Sequence, residues 1–542
     1  SGPEPSDRVA IGITFGNSNS SIAYTIDDKA EVIANEDGDR QIPTILSYVD
    51  GEEYYGAQAK AFLSIDPTHC HAAAHPEDDA GGVSFKVQDK AGEETPSTVT
   101  TSEASTRFLR RLVTSASEYL GKKVTSAVVT VPTNYSDKQR EALVKAAKDA
   151  DLEILQLVSD PVAAILAYDA RPEAKVEDKV VVVADLGGTR SDVAVVASRG
   201  GMYTVLATSH DYDFAGVHLD NALIEYFAKE FIKSHKTDPR DNARSLAKLR
   251  LESEATKKAL SLGTNAQFSV ESLADGIDFS MTVNRIRYET IGRKVFEGFN
   301  RLVEGVIKKA GLDVLDVDEV IMCGGTSHTP RIANNLRGIF PETTTILAPA
   351  TSTSAINPSE LQARGAALQA SLIQEYESAD IEQSTHAAVT TVKHTANAIG
   401  VVVSDGSSDV FAPVMASDTA VPARRTVHIP APADGGDVLV KVVEGGTHIK
   451  VTKPEPKVKE NKDGDDDDDD DDDSDFDSDD EDEEKREKEW TIGNLLAEAA
   501  VRGVKKNGKV EVTINVQADL SVTITTREVG AKTGIRGTLE GQ

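Results

Sequence analysis

The stretch Lys179-Val-Val-Val-Val-Ala-Asp-Leu-Gly-Gly-Thr-Arg-Ser-Asp-Val-Ala-Val-Val196 holds residue types that can handle a phosphate. Asp185 ends a valine run, Gly187 and Gly188 follow, then Thr189 and Arg190, and Asp192 precedes the next apolar run. Successive backbone N–H groups around such a turn make an anion-binding concavity, and neighbouring carboxylates suit a metal–phosphate ligand. The glycines let the backbone turn tightly and approach a ligand closely. Taken alone, the stretch suits an ordinary hairpin equally well. Two others share its plan. Val9 to Tyr24 places Gly16, Asn17 and Ser18 between two apolar runs. Asp318 to Ile332 places Gly324, Gly325, Thr326 and His328 between a strand and a helix opened by Pro330.

Buried strands and helices must position these turns. Four successive valines fit a strand covered on both faces. An amphipathic helix is expected over Ser105 to Leu120, a strand over Ser126 to Pro132, and a helix over Ser136 to Ala150 capped by Ser136. Leu157 to Tyr168 reads as a helix with Pro161 at its start. Ala215 and Gly216 lead into another helix. On the long helix Leu246 to Ser261, the residues Glu254, Lys257, Lys258 and Ser261 recur at spacings of three and four and share a face. By itself that pattern describes a solvated, salt-bridged surface. From Ile399 the pattern turns to β: Ile399 to Val403, Phe411 to Val414, Arg425 to Ile429, Val438 to Gly445, Lys509 to Val516 and Leu520 to Thr526, separated by prolines and Asp-Gly pairs.

A chain of 542 residues exceeds one core, so two or more domains are expected. With 39% hydrophobic and 27% charged residues it has a soluble globular composition. Cys70 and Cys323 stand far apart and form neither a disulfide framework nor a metal cluster, so a reducing compartment is the expectation. No apolar run reaches membrane-spanning length, and the opening residues Ser1 to Ser6 do not read as a signal peptide. Of the net charge of −32, 18 negative charges lie between Asp463 and Glu484, a tract expected to be disordered and solvated. Like-charge repulsion argues against that tract binding nucleic acid directly, while a basic ribosomal surface would suit it.

Two strand–turn–strand phosphate loops and a later Gly-Gly adenosine loop, in this order, resemble the actin-like ATPase fold of the seventy-kilodalton heat-shock chaperones. The resemblance implies a two-lobed α/β nucleotide-binding domain over residues 1–378, a linker over 379–396, and an all-β sandwich of substrate-binding type over 397–542. An acidic insert at about 454–489 interrupts the sandwich, and the family's helical lid is missing. The resemblance makes ATP the cofactor and leaves magnesium open. It assigns Gly16, Asn17, Ser18, Asp185, Gly187, Gly188, Thr189 and Arg190 to the phosphates, and Gly216, Glu254, Lys257, Lys258, Ser261, Gly324, Gly325, Thr326 and His328 to the nucleoside side.

Where hydrolytic members have a first-loop aspartate this chain has Thr14, and their glutamate is Asp160. Their catalytic lysine has no visible counterpart, since the chain departs from the family pattern after Leu63. Thr189 and Arg190 replace a glycine and a threonine, Lys258 replaces an arginine, and His328 replaces a stacking arginine. Arg190 reads either as a fixed counter-charge for phosphate or as a side chain turned to solvent. Losing several groups together implies ATP binding with little or no hydrolysis, with no residue assigned to catalysis or to a metal. The missing lid and unusual linker make the chain similar to the atypical branch of the family found in the eukaryotic ribosome-associated complex. That similarity implies a stable pairing with the J-domain protein zuotin, cytoplasmic ribosome association through that partner, and help to an active seventy-kilodalton chaperone on nascent polypeptides. An ATP-hydrolysing, peptide-binding chaperone is the alternative, and a small-molecule kinase of the same fold is a further one.

Overall fold

The computed structural model describes residues 4–62, 70–72, 84–175, 177–385, 393–404, 407–453 and 484–541. The departure after Leu63 and most of the acidic tract lie outside these residues. The chain forms two units, Ser1–Thr391 and Val392–Gln542.

The first unit is built on one topology used twice. Strands β1 (Ala10–Phe15), β2 (Asn19–Ile26), β3 (Lys29–Val32), β4 (Ser126–Val131) and β5 (Glu153–Ser159) lie in one sheet in the order 5-4-1-2-3, with a short sixth strand, Ile42–Pro43, paired to β2 off that path. Strands β6 (Lys179–Leu186), β7 (Ser191–Arg199), β8 (Met202–Asp211), β9 (Glu319–Cys323) and β10 (Thr345–Leu347) form a second in the order 10-9-6-7-8. Within each, the first three strands are antiparallel and the last two join in parallel. The predicted valine strand is covered on both faces: Val182 packs with the helices of the second lobe, while Val181 and Val183 meet the helix that connects the lobes. Fully burying each such side chain contributes ~1.5–3 kcal/mol.

Helices α1 (Thr101–Leu120) and α2 (Asp137–Asp149) cover the first sheet. Their starts are chemical: the Thr100 side chain accepts from the Glu103 N–H, and Ser136 forms a capping box with Gln139. Helix α3 (Asp160–Asp169), with Pro161 in its first turn, places Ala163 against the first sheet and Ala164, Ile165 and Tyr168 against the second. The second lobe is carried by α4 (Gly216–His235), α5 (Ala243–Leu262), α6 (Arg293–Lys309) and α7 (Pro330–Ile339). Helix α8 (Leu361–Ile373) returns to lie against Gly12 of β1 and Ala163 of α3. The segment expected to open a polar linker instead begins as α9 (Ser378–Thr385), whose Ile381 is buried beside Ala10, Leu155 and Ala370. One apolar residue per two turns leaves no readable period.

The second unit is a sandwich. One sheet has the order β12 (Asp409–Met415), β11 (Ala398–Ser404), β14 (Gly436–Thr452), β15 (Lys485–Val504). The other has β13 (Ala423–Pro430), β16 (Lys509–Val516), β17 (Val522–Glu528), β18 (Ile535–Leu539). Val401, Val440 and Val442 of the first meet Val510, Val512 and Ile514 of the second in one core. The insert expected over about 454–489 is shorter at its far end. Lys485 to Glu489 belong to β15, paired with Thr452 to His448 of β14. Here pairing overrides composition, because Lys485, Arg486 and Lys488 offset the acidic residues among them, and Lys450 lies opposite Glu487 and pairs with Glu489 at 3.5 Å.

Candidate functional site

The glycine turns converge. At the first, the Gly16 N–H donates to the Asn19 carbonyl at 3.2 Å. At the second, the Gly187 N–H donates to the Arg190 carbonyl at 3.0 Å. A Cβ at Gly188 would collide with the Ser18 side chain, so the turns of the two lobes meet directly. The start of α4 closes on the same place: Gly216 N–H donates to the Gly187 carbonyl at 2.9 Å and Val217 N–H to that of Gly188 at 2.7 Å. From the third turn, the Thr326 hydroxyl donates to the Gly187 carbonyl at 3.0 Å. Gly324 adopts a left-handed φ of 83°, and a Cβ there would stand 2.9 Å from Asp185 Oδ1. The amides of Asn17, Ser18, Gly188 and Thr189 take no part in the hydrogen bonds that close these turns. Amides left this way around a tight turn can form a cradle of donors for phosphate oxygens.

On α5 the predicted face divides. Lys257, nearly buried, donates to the Gly216 carbonyl at 3.2 Å and pairs with Asp220 at 2.8 Å. Glu254 pairs with Lys258 at 3.1 Å and, across the cleft, with Lys60 of the first lobe at 2.7 Å. Burial would raise the Glu254 carboxyl, but Lys60 and Lys258 overcome it and hold it at about 2. Lys60 escaped the sequence reading because a lone lysine in a short alanine-rich helix carries no pattern. Ser261 turns back to the Lys257 carbonyl at 3.4 Å. His328 faces the Ser359 hydroxyl at 2.9 Å, and burial favours its neutral imidazole, a form able to stack on a base. Gly325 opens this turn, with Ser359 beside it.

Beneath the cradle lie Asp160, Asp185 and Asp192. Arg190 is not turned out to solvent, since its side chain is largely covered and lies against Asp192. Its Nη2 donates to Asp192 Oδ1 at 2.6 Å and its Nε to Oδ2 at 2.9 Å, while Nη2 also reaches Asn134 at 3.0 Å. The guanidinium lies 5.3 Å from the Tyr212 ring centre. His210, which no sequence motif marked, lies with Nδ1 2.5 Å from Asp192 Oδ1. It stands on β8 opposite Asp192 in the strand register, a partner visible only once β7 and β8 are paired. Thr14 sits opposite Thr130, whose hydroxyl reaches it at 3.5 Å.

Burial first, then the Asp192 charge, pushes Asp160 up to about 7, and burial with Asp160 pushes Asp185 well above its ordinary range. Because the folded value of Asp160 exceeds the unfolded one, the native state keeps a proton that the unfolded chain has lost between about pH 4 and pH 7. Its contribution to stability is therefore full below that window and lost as pH rises through it. In thermal melts without nucleotide, Asp160→Asn is expected to flatten the fall in Tm between pH 5 and pH 8. An unchanged profile would exclude Asp160 as its source.

Sequence comparison places this geometry in a family. The Hsp70 protein model matches residues 10–449. The chain is 40% identical to a heat shock protein 70 homolog of Schizosaccharomyces pombe, over 98% of this chain and 95% of that one. It is also 40% identical to the ribosome-associated complex subunit SSZ1 of Saccharomyces cerevisiae, over 98% and 99%. Heat shock 70 kDa protein 2 of Paracoccidioides lutzii is 31% identical over 80% of this chain and 67% of its own length. No helix among the described residues is long and apolar enough to cross a membrane. The two sheets with their repeated strand order, the converging glycine turns and this likeness together establish that the chain belongs to the Hsp70 family, with an actin-like ATPase unit followed by a β-sandwich.

Proposed function

We propose that this protein binds ATP as a retained ligand, hydrolyses it little or not at all, and serves as the Hsp70-type subunit of a cytoplasmic ribosome-associated complex. Phosphoryl transfer to water needs neutralised charge and a positioned nucleophile. The observation that carries the reading is the state of Asp192, engaged through both oxygens by Arg190, while β1 offers the Thr14 hydroxyl and no carboxylate beside the first turn. Asp160 stands where hydrolytic members carry a glutamate and is one methylene shorter, which draws its carboxyl back from the place where a water would be held. The cradle of free amides supports binding independently of that chemistry. Likeness to a ribosome-associated complex subunit over 98% of the chain supports the assembly. In it the protein pairs stably with the J-domain protein zuotin and assists an active seventy-kilodalton chaperone on nascent polypeptides.

The test is to isolate the complex with radiolabelled ATP and follow bound nucleotide and free phosphate over hours. Parallel aliquots are sedimented with ribosomes, with and without zuotin. Expected are intact bound ATP, no phosphate above background, and sedimentation only with the partner. Sustained phosphate release would favour the ATP-hydrolysing chaperone, and partner-independent sedimentation would remove the proposed assembly.

A further inference from the structure

Members of this family bind nucleotide generally with magnesium, so the carboxylate cluster can be asked whether it fits that ion. Magnesium takes one or two free carboxylates beside its waters and the substrate phosphates, in a near-octahedral array. Asp192 Oδ1 already contacts Arg190 Nη2 at 2.6 Å and His210 Nδ1 at 2.5 Å, and its Oδ2 accepts from Arg190 Nε at 2.9 Å. Asp185 Oδ2 accepts from Gln362 Nε2 at 2.9 Å, and its Oδ1 lies against Gly324. Thr14 supplies no carboxylate. Among the described residues no three acidic, histidine or cysteine side chains are grouped to hold a metal. The donor set does not fit magnesium.

The positive charge in this cluster is instead built into the chain. Arg190 lies two residues from the carboxylate it neutralises, and its guanidinium is fixed by Asp192, by Asn134 at 3.0 Å and by the Tyr212 ring. Arginine stays charged at any physiological pH and donates in a fixed fork. With Nε and Nη2 engaged, Nη1 remains without a partner among the described contacts and is available to a phosphate oxygen. We infer that this site takes its nucleoside triphosphate free of magnesium, with the Arg190 guanidinium as the counter-charge in the ion's place. The inference rests on the nucleotide-binding reading above and specifies the ionic form of the ligand.

The test uses the full chain in complex with its partner and a fluorescent ATP analogue, titrated in excess magnesium and in excess EDTA. The expected Kd differs by less than about threefold between the two. Arg190→Ala is expected to lose about tenfold or more in EDTA and to recover in magnesium, because Asp192 is then released. Binding by the wild type only in magnesium would overturn the inference and leave the nucleotide site standing. Binding in neither condition would overturn the nucleotide reading itself. The wild-type comparison needs no variant, so misfolding of Arg190→Ala cannot mask the answer. Arg190→Lys, which keeps charge without the fork, should retain part of the EDTA-resistant binding, and undiminished EDTA-resistant binding in Arg190→Ala would count against Arg190.

Discussion

Gly365→Val is expected to abolish folding of the nucleotide-binding unit. Gly365 lies where α8 crosses α3, and a Cβ there would fall within the carbonyl of Ala163. The obstacle is backbone, which has no rotamer to yield. On the opposite side of α8, Gly12 of β1 meets the backbone of Ala363, Ala366 and Ala367 just as closely. The helix is wedged between a strand and a helix with no slack in either direction. Overpacking of this kind costs at least ~3 kcal/mol, a large part of the ~5–15 kcal/mol that a domain commands. Gly305→Ala in α6 provides the contrast, since a Cβ there meets nothing within 4 Å. It should stabilise by ~0.5–1 kcal/mol. Soluble yield and the urea midpoint measure both, and a well-folded Gly365→Val protein would show that α8 can shift.

The second large effect is expected from Lys257→Met. Lys257 and Asp220 form a shielded pair at 2.8 Å, and Lys257 also holds the Gly216 carbonyl at the start of α4. Removing the lysine leaves a carboxylate that burial already pushes upward in pKa, now without its counter-charge. Breaking a buried pair from one side costs ~3–5 kcal/mol, whereas replacing both partners with apolar groups is often close to neutral. Lys257→Met combined with Asp220→Leu should therefore regain most of the stability. It should not regain ATP affinity, because the anchor on Gly216 and its turn is still missing. Denaturation midpoints and nucleotide titrations on the single and double variants separate the two roles. Equal stability of the single and double variants would show that the pair is solvated.

How much of this was legible in the residues follows from what each signal depends on. The turn glycines Gly16, Gly187, Gly188 and Gly324 stood out because each sits at the end of an apolar run. Backbone geometry is a local matter that local sequence encodes. The helix starts at Ser136 and Pro161 were visible for the same reason. The direction of the Arg190 side chain was not local. It is decided by Asn134, His210 and Tyr212, which other elements bring to it. The spacing of Glu254, Lys257, Lys258 and Ser261 placed them together on one helix, yet the destination of each side chain depended on Lys60, Asp220 and Gly216. The start of strand β15 was hidden by its charge, since only the facing residues of β14 make Lys485 to Glu489 a strand. The short helix α9 is held by Ile381 in the core and by Ser378, whose hydroxyl accepts from Arg8, contacts that its own sequence does not announce.

The doubled sheet also bears on how the protein comes to be made. In each lobe the central strand lies beside a partner that arrives much later in the chain: Ala10 waits for Ser126, and Val181 for Glu319. Closing such distances before the core gives any return is entropically slow, and chains that fold this way expose their unpaired strands in the meantime. The run Val180 to Val183 would then leave the ribosome with neither face covered, a segment prone to associate with its neighbours. A member of a chaperone family thus carries, in its own nascent chain, the kind of segment that chaperones shield.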